Sequence, residues 1–269
     1  MTMDWGSAAP VVPLNYEEYL GPAMFAPLSR VTADVVEAGP GDVALDVACG
    51  TGILTRELAR RLGERGRVTG LDLGEGMLAI ARDHNAPGAA IEYVRGGADQ
   101  LPFGDGEFTI VTCQQGLQFF PDRPAALAEI RRVLAPAGRV AVACWGATFE
   151  HAGWALIAAA LDRHYGRGVG DMLRAPFRLC DPAELRLLLE EAGFGSVVVE
   201  IERVAARFPD PEHFALRVIS AGPVFTAFSA GTAEQQAAVT SDVAAALEPY
   251  RDGDTVAFEM PSLLGVAHG

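Results

Sequence analysis

Positive charge is scarce in this chain of 269 residues: 21 Lys and Arg stand against 35 Asp and Glu, a formal net charge of −14. No basic cluster exceeds short pairs such as Arg60-Arg61 and Arg131-Arg132, which argues against a nucleic-acid partner, whose backbone rewards neutralising cations. Cysteine is scarce too. Cys49, Cys113, Cys144 and Cys180 show neither CxxC spacing nor a neighbouring His pair, so no metal site is expected and the four read as free thiols. Long apolar runs are missing, since no segment approaches the roughly eighteen residues that span a bilayer. The amino-terminal MTMDWGSAAP also lacks a basic head followed by an apolar stretch, so a cytoplasmic location is expected. There is no internal repeat.

What is present is apolar bulk, 50% of the residues, enough for the core of one large α/β domain. The most informative stretch runs from Val43 to Asp72. An apolar run, Val43–Val47, ends in the small-residue loop Ala48-Cys49-Gly50-Thr51-Gly52, the pattern of a buried parallel strand handing over to a helix. Leu54, Leu58 and Leu62 then recur at helical spacing with charged residues between, and Gly63 stops the helix. A second strand delivers Asp72 at its carboxyl end, twenty positions after Gly52. Such a unit lets backbone approach a nucleotide closely, and an acid at the second strand's tip accepts ribose hydroxyls. A dinucleotide loop would add a third glycine where Thr55 stands. Asp46, inside the first strand, repels a pyrophosphate but suits a ligand bearing an amine and a sulfonium.

Together DVACGTG, GLDLGEGML, LPFGDGEF and LAPAGRV, spaced in that order over residues 16–145, resemble the class I S-adenosylmethionine-dependent methyltransferases. The likeness is greatest to the small-molecule group that includes the ubiquinone and menaquinone C-methyltransferases. The resemblance implies a Rossmann-like, doubly wound, mostly parallel seven-stranded α/β sheet with helical cap insertions. It divides the chain into lid helices over 1–40, a cofactor-binding core over 41–147, and cap helices with the last strands over 148–269, completing the same domain. S-adenosyl-L-methionine is the implied cofactor. Asp46, Ala48, Gly50 and Gly52 would shape the methionine end, Asp72 would hold the ribose, Leu73 and Met77 would flank the adenine, and Gln114 would lie beside the methionine.

The chain departs from that family in two places. Counting back from Leu101, Gly97 stands where the family carries an acid facing the adenine amino group, Ala98 stands at the backbone donor's place, and Asp99 comes two positions late; the reading adopted is that this amino group lacks a side-chain partner. In the turn before the fifth strand the family generally has two glycines, where this chain has Ala137-Gly138.

Strands are expected at 43–47, 67–71, 91–94, 108–113, 139–145, 196–201 and 256–266, with two helices, near 211–220 and 232–248, between the last two. Tyr16 and Tyr19 in the lid, Gln118 past the fourth strand and Trp145 at the end of the fifth are substrate candidates. Methyl transfer from a sulfonium is an in-line displacement in which alignment contributes about 7 to 11 kcal/mol and a general base about 3 to 5. A base is therefore optional, and His151, just beyond the fifth strand, is the candidate. The expected activity is methyl transfer to a small, largely apolar molecule at an O, C, N or S atom, by a protein that could also form a homodimer. The alternatives are a cyclase or isomerase on the same cofactor fold that transfers no methyl, and a non-catalytic cofactor-binding protein.

Overall fold

The computed structural model describes residues 11–85, 90–147 and 150–269. The first ten lid residues and Thr148, where the cap is expected to begin, lie outside them. Eight strands form one sheet: β1 Val43–Val47, β2 Arg67–Asp72, β3 Ile91–Arg95, β4 Phe108–Gln114, β5 Leu134–Trp145, β6 Gly195–Pro209, β7 Arg251–Asp252 and β8 Thr255–His268. Their order is β3-β2-β1-β4-β5-β8-β6, with β7 beside β8. The first five pair in parallel, whereas β8 runs antiparallel to β5, β6 and β7. The eighth strand, absent from the sequence reading, is the two-residue β7, too short to carry an alternation pattern.

Helices cover both faces, as parallel strands require. One apolar core joins the lid, the helix Ile53–Leu62 and the cap. The other lies under Arg123–Val133 and Pro182–Glu191. In the first of these two helices Asp122 caps the start by accepting from Ala125 N, and in the second Asp181 accepts from Ala183 N.

Three expectations fell short. Strand β6 runs on to Pro209, because Val204, Ala206 and Phe208 alternate inward with Arg203, Ala205 and Arg207 outward, a second period-two run that was not read. Three helices rather than two lie between β6 and β7: Phe214–Ser220, Val224–Ser229 and Ala233–Ala246. The cap also contains Arg167–Arg174, which was not expected.

The lid begins with Val11–Asn15 and widens into a π-helix over Tyr16–Phe25, where Ala26 N donates back five residues to Gly21 O, before Ala26–Val35 resumes α geometry. Wide turns of this kind are uncommon and concentrate at functional sites. This one packs over the carboxyl ends of the parallel strands.

Candidate functional site

The loop after β1 turns through three left-handed residues, Ala48 at φ 58°, Gly50 at 56° and Gly52 at 81°. Cys49 N donates to Leu71 O at 3.0 Å and ties the loop to β2. At the tip of β2, Asp72 accepts from Gly50 N at 2.8 Å through Oδ2 and from Gly74 N at 2.7 Å through Oδ1. Burial pushes its carboxyl up, against those two backbone donors.

Around Asp72 opens a cavity of ≈ 510 Å³, within the range of small-molecule sites. Ala48, Gly50, Leu73, Met77, Ala98, Asp99 and Gln114 line it, as does Tyr16 of the lid. Gly97, which the spacing back from Leu101 puts on the adenine side, and Gln115 line it as well, and so do Gly96, Gly116, Phe119, Phe120, Pro121 and Ala126, which were not proposed from the sequence. The Phe119-Phe120 pair past β4 was a signal for this wall, but it reads equally as the start of the next helix.

A second, narrow cavity of ≈ 20 Å³ lies against Asp46, Cys49, Thr51, Ile53, Leu54 and Phe25, and shares Tyr16, Ala48 and Gln114 with the first. Asp46 is buried, with Oδ2 accepting from Thr55 Oγ1 at 2.7 Å and Oδ1 from Thr112 Oγ1 at 3.0 Å. Burial pushes it up to about 7, opposed by the two threonines and reinforced by the charge of Asp72. Tyr16 stacks on Phe25, 4.6 Å between centroids, and closes this end. Arg56 pairs with Glu17 of the lid and donates to Thr51 O at 2.6 Å. Glu17 Oε2 and Thr51 Oγ1 are buried without a partner among the described residues.

Five sequence candidates lie outside both linings. Gly52 serves the turn, where a Cβ would run into the Tyr93 hydroxyl. Tyr19 donates to Pro209 O at 3.1 Å and packs on Phe208, fastening lid to cap. Gln118 is buried in a hydrogen-bond chain with Gln115, and Trp145 is buried between Phe25 and Phe177. His151 is fully buried against Trp145 and Phe177, and burial pulls it down to about 4. Gln114, which does line both cavities, accepts from Thr32 Oγ1 at 2.8 Å and donates to Ser29 Oγ at 3.1 Å, so both ends of its amide are engaged by the helix Ala26–Val35.

At the adenine-side departure, Gly97 and Asp99 lie side by side. Gly97 has no left-handed φ, and a Cβ built on it would lie 2.6 Å from Asp99 Oδ1. The Asp99 carboxylate therefore reaches back into the space a side chain at 97 would take.

Residues 45–142 match the protein family described as a methyltransferase domain. A 2-phytyl-1,4-naphtoquinone methyltransferase of Thermosynechococcus vestitus is 44% identical over 113 residues, 42% of this chain and 50% of that one. A demethylmenaquinone methyltransferase of Staphylococcus aureus is 44% identical over 100 residues, 37% of this chain and 42% of that one. The chain thus spans about half the length, or less, of the curated relatives it matches. Among solved structures, Haemonchus contortus phosphoethanolamine N-methyltransferase 2 with S-adenosyl-L-methionine superposes with a TM-score of 0.62 at 19% identity, covering 97% of this chain and 57% of that one, a likeness of fold.

Proposed function

We propose, from the premise that residues 45–142 match the family described as a methyltransferase domain, that the protein is a class I S-adenosylmethionine-dependent methyltransferase that transfers the cofactor's methyl group to a small, largely apolar molecule. The observation that carries this reading is the ≈ 510 Å³ cavity gathered around Asp72, whose two oxygens are oriented by Gly50 N and Gly74 N and keep lone pairs for ribose hydroxyls. Leu73, Met77 and Ala98 supply apolar walls for adenine.

The chemistry of the narrow cavity fits the other end of the cofactor. A buried carboxyl at Asp46 and a buried Thr51 hydroxyl without a partner among the described residues suit an ammonium and a carboxylate. When bound, the cofactor supplies an electrophilic methyl on a positive sulfur. The chain's own task is to orient, exclude water and favour that charge, which Asp46 and Asp72 do as carboxylates in a buried setting. Tyr16 and Phe25 exclude solvent above.

Two relatives are named for methylating 2-phytyl-1,4-naphtoquinone and demethylmenaquinone, and the apolar side chains around this site support a largely apolar acceptor here. Net charge of −14 supports a small molecule over a nucleic acid, and a cytoplasmic setting belongs to the same proposal. Among the described residues no helix is long and apolar enough to cross a membrane. In this reading residues 1–40 are the lid, 41–147 the cofactor core, and 148–269 the cap with the last strands, completing the same domain.

Calorimetric titration with S-adenosylhomocysteine tests the cofactor assignment, and a gain of one methyl in the mass of an apolar acceptor tests the transfer. Saturable binding with no displacement by micromolar NAD is the expected result. A chain that binds NAD in preference, or neither ligand, overturns the reading.

A further inference from the structure

The loop after β4 is held in a conformation that its own residues disfavour. Gln114, Gln115 and Gly116 line the wide cavity in succession, and Gln114 lines the narrow one as well. Gln115 is left-handed, at φ 59°. That conformation sets Cβ against the following carbonyl oxygen, so a glutamine stays there only where its surroundings over-determine it. Glycine adopts it at no such cost.

What holds Gln115 is a chain of buried hydrogen bonds whose direction is fixed from one end. The Cys144 carbonyl on β5 only accepts, so Ser262 Oγ donates to it at 2.9 Å. The serine has one hydrogen, and with it committed the oxygen accepts from Gln115 Nε2 at 3.0 Å. That orients the amide, and Gln115 Oε1 accepts from Gln118 Nε2 at 3.0 Å. Ser262 is fully buried on β8, 147 residues from Gln115 along the chain. On the main chain, Gln115 N donates to Ala143 O at 2.8 Å and prolongs the β4 to β5 ladder. Side chain and backbone are thus tied to β8 and β5, strands that line neither cavity.

The turn delivers Gly116 onto the glycine loop. A Cβ built on Gly116 would lie 2.6 Å from Ala48 Cβ and 2.9 Å from Cys113 Sγ, so the two loops meet with no room for a side chain between them. Ala48 is itself left-handed, at φ 58°, and lines both cavities. The glycine loop is therefore braced from the β4 side at the residue the two cavities share, and the brace stands where the Gln115 turn puts it.

We propose that Gln115 is a positioning residue for the cofactor: clamped by Ser262, its left-handed turn seats Gly116 on Ala48 and sets the spacing between the glycine loop and the loop after β4. The proposal rests on the cofactor reading of the cavities. Released from the clamp, Gln115 relaxes out of the left-handed region, Gly116 leaves Ala48, and the walls shared by the two cavities shift. Ser262 thereby acts on a site it does not touch.

Gln115→Ala and Gln115→Gly delete the same amide and differ in the cost of the turn, which alanine bears and glycine does not. In calorimetric titration of the full chain with S-adenosylhomocysteine, Gln115→Ala is expected to bind about tenfold more weakly than wild type, the equivalent of one hydrogen bond. Gln115→Gly should stay within about twofold of wild type. Ser262→Ala should lose affinity as Gln115→Ala does, and adding Gln115→Gly to it should restore binding although the Cys144 carbonyl still lacks its donor. A loss of affinity that merely followed stability would not be recovered by deleting a second buried side chain. Wild-type affinity in Gln115→Ala overturns the proposal. Equal weakening by alanine and glycine does so too, since the amide itself would then be the contact, and so does a double variant as weak as Ser262→Ala. Urea denaturation without ligand reads the clamp independently, because Ser262→Ala should cost more stability in wild type than in the Gln115→Gly background. Equal costs overturn the clamp, whereas unequal costs in a wild type that binds no S-adenosylhomocysteine keep the clamp and remove the cofactor reading instead.

Discussion

The wide cavity around Asp72 and the narrow one around Asp46 are neighbours that share Tyr16, Ala48 and Gln114, yet they are built on different physics. The wide one is framed in part by backbone, with glycines at 50, 74, 96, 97 and 116, and otherwise by mainly apolar side chains, Tyr16 among them. The narrow one is bounded in part by Tyr16 and Phe25, and it lies against a carboxylate held by two threonine hydroxyls and, among the described residues, by no cation. The difference shows where selection for a positive ligand resides. A wide site recognises shape, whereas a narrow one against an uncompensated buried acid stores a penalty that a cation relieves. Arg56, the nearest fixed cation on the glycine-loop helix, is committed to Glu17 and Thr51 O.

The sharpest way to break this contrast is Asp46→Asn. A carboxyl held near 7 in the fold instead of its ordinary 3.8 binds a proton in the native state that the unfolded chain releases. Native stability therefore falls as pH rises from about 4 to about 7, and the full cost, roughly 2 to 4 kcal/mol, stands above that window. Asp46→Asn should thus melt higher than wild type at pH 8, with little difference at pH 4.5, and should bind S-adenosylhomocysteine more weakly. Thermal melts of both proteins at the two pH values check this. An equal difference at both would mean that the acid is not buried without compensation.

Next in size is Asp72→Ala in the wide cavity, expected to weaken S-adenosylhomocysteine binding by about 1.5 to 3 kcal/mol, the worth of hydrogen bonds to a charged group, with the fold retained. Here the pH signature should be weaker than for Asp46, because two backbone donors already favour the Asp72 carboxylate. Calorimetric titration of the folded variant decides it, an unchanged dissociation constant being the contrary result.

Much of the wide cavity was legible in the sequence, and little of the packing between lid and cap. Asp72, Leu73, Met77, Ala98 and the loop at 48–50 are placed by contiguous strand-loop-helix patterns, in which a residue's position along the chain dictates its position at the sheet edge. Strand limits for β1 to β4 follow from the same logic, to within a residue. Tyr19 was placed near the site through the lid of the resembled family, and Trp145 and His151 by proximity to a strand end, but where those side chains point depends on the lid and cap, whose packing is long-range. Tyr19 turns to Pro209, 190 residues away in sequence, and no local pattern announces that. The convergence of Gln115, Gln118 and Ser262 is of the same kind.

A smaller effect separates Gly97 from Asp99 on the adenine side. Since the Asp99 carboxylate already fills the space beside Gly97, Asp99→Ala should weaken S-adenosylhomocysteine binding by about 1.5 kcal/mol. Gly97→Asp should gain nothing, because the new side chain meets a like charge in the same place. Tighter binding by Gly97→Asp, with Asp99→Ala unaffected, would restore the reading taken from sequence spacing.

The smallest expected change lies outside both cavities and serves as their control. Ala137, in the turn that opens β5, is held at φ 61°, a left-handed conformation that sets its Cβ against the following carbonyl at a cost of about 1 kcal/mol or more. The resembled family carries glycine there. Ala137→Gly relieves that strain in the folded state but gives the unfolded chain more freedom, which offsets part of the gain. The net expectation is a stabilisation of about 0.5 to 1 kcal/mol, seen as a rise of one to a few degrees in melting temperature. Because Ala137 touches neither the loop at 48–52 nor the lid, S-adenosylhomocysteine affinity should not move. A melting temperature that falls would show that the turn draws more from the alanine methyl than its backbone loses. An affinity that moves with stability would mean that the wide cavity is less independent of the surrounding fold than its backbone framing implies.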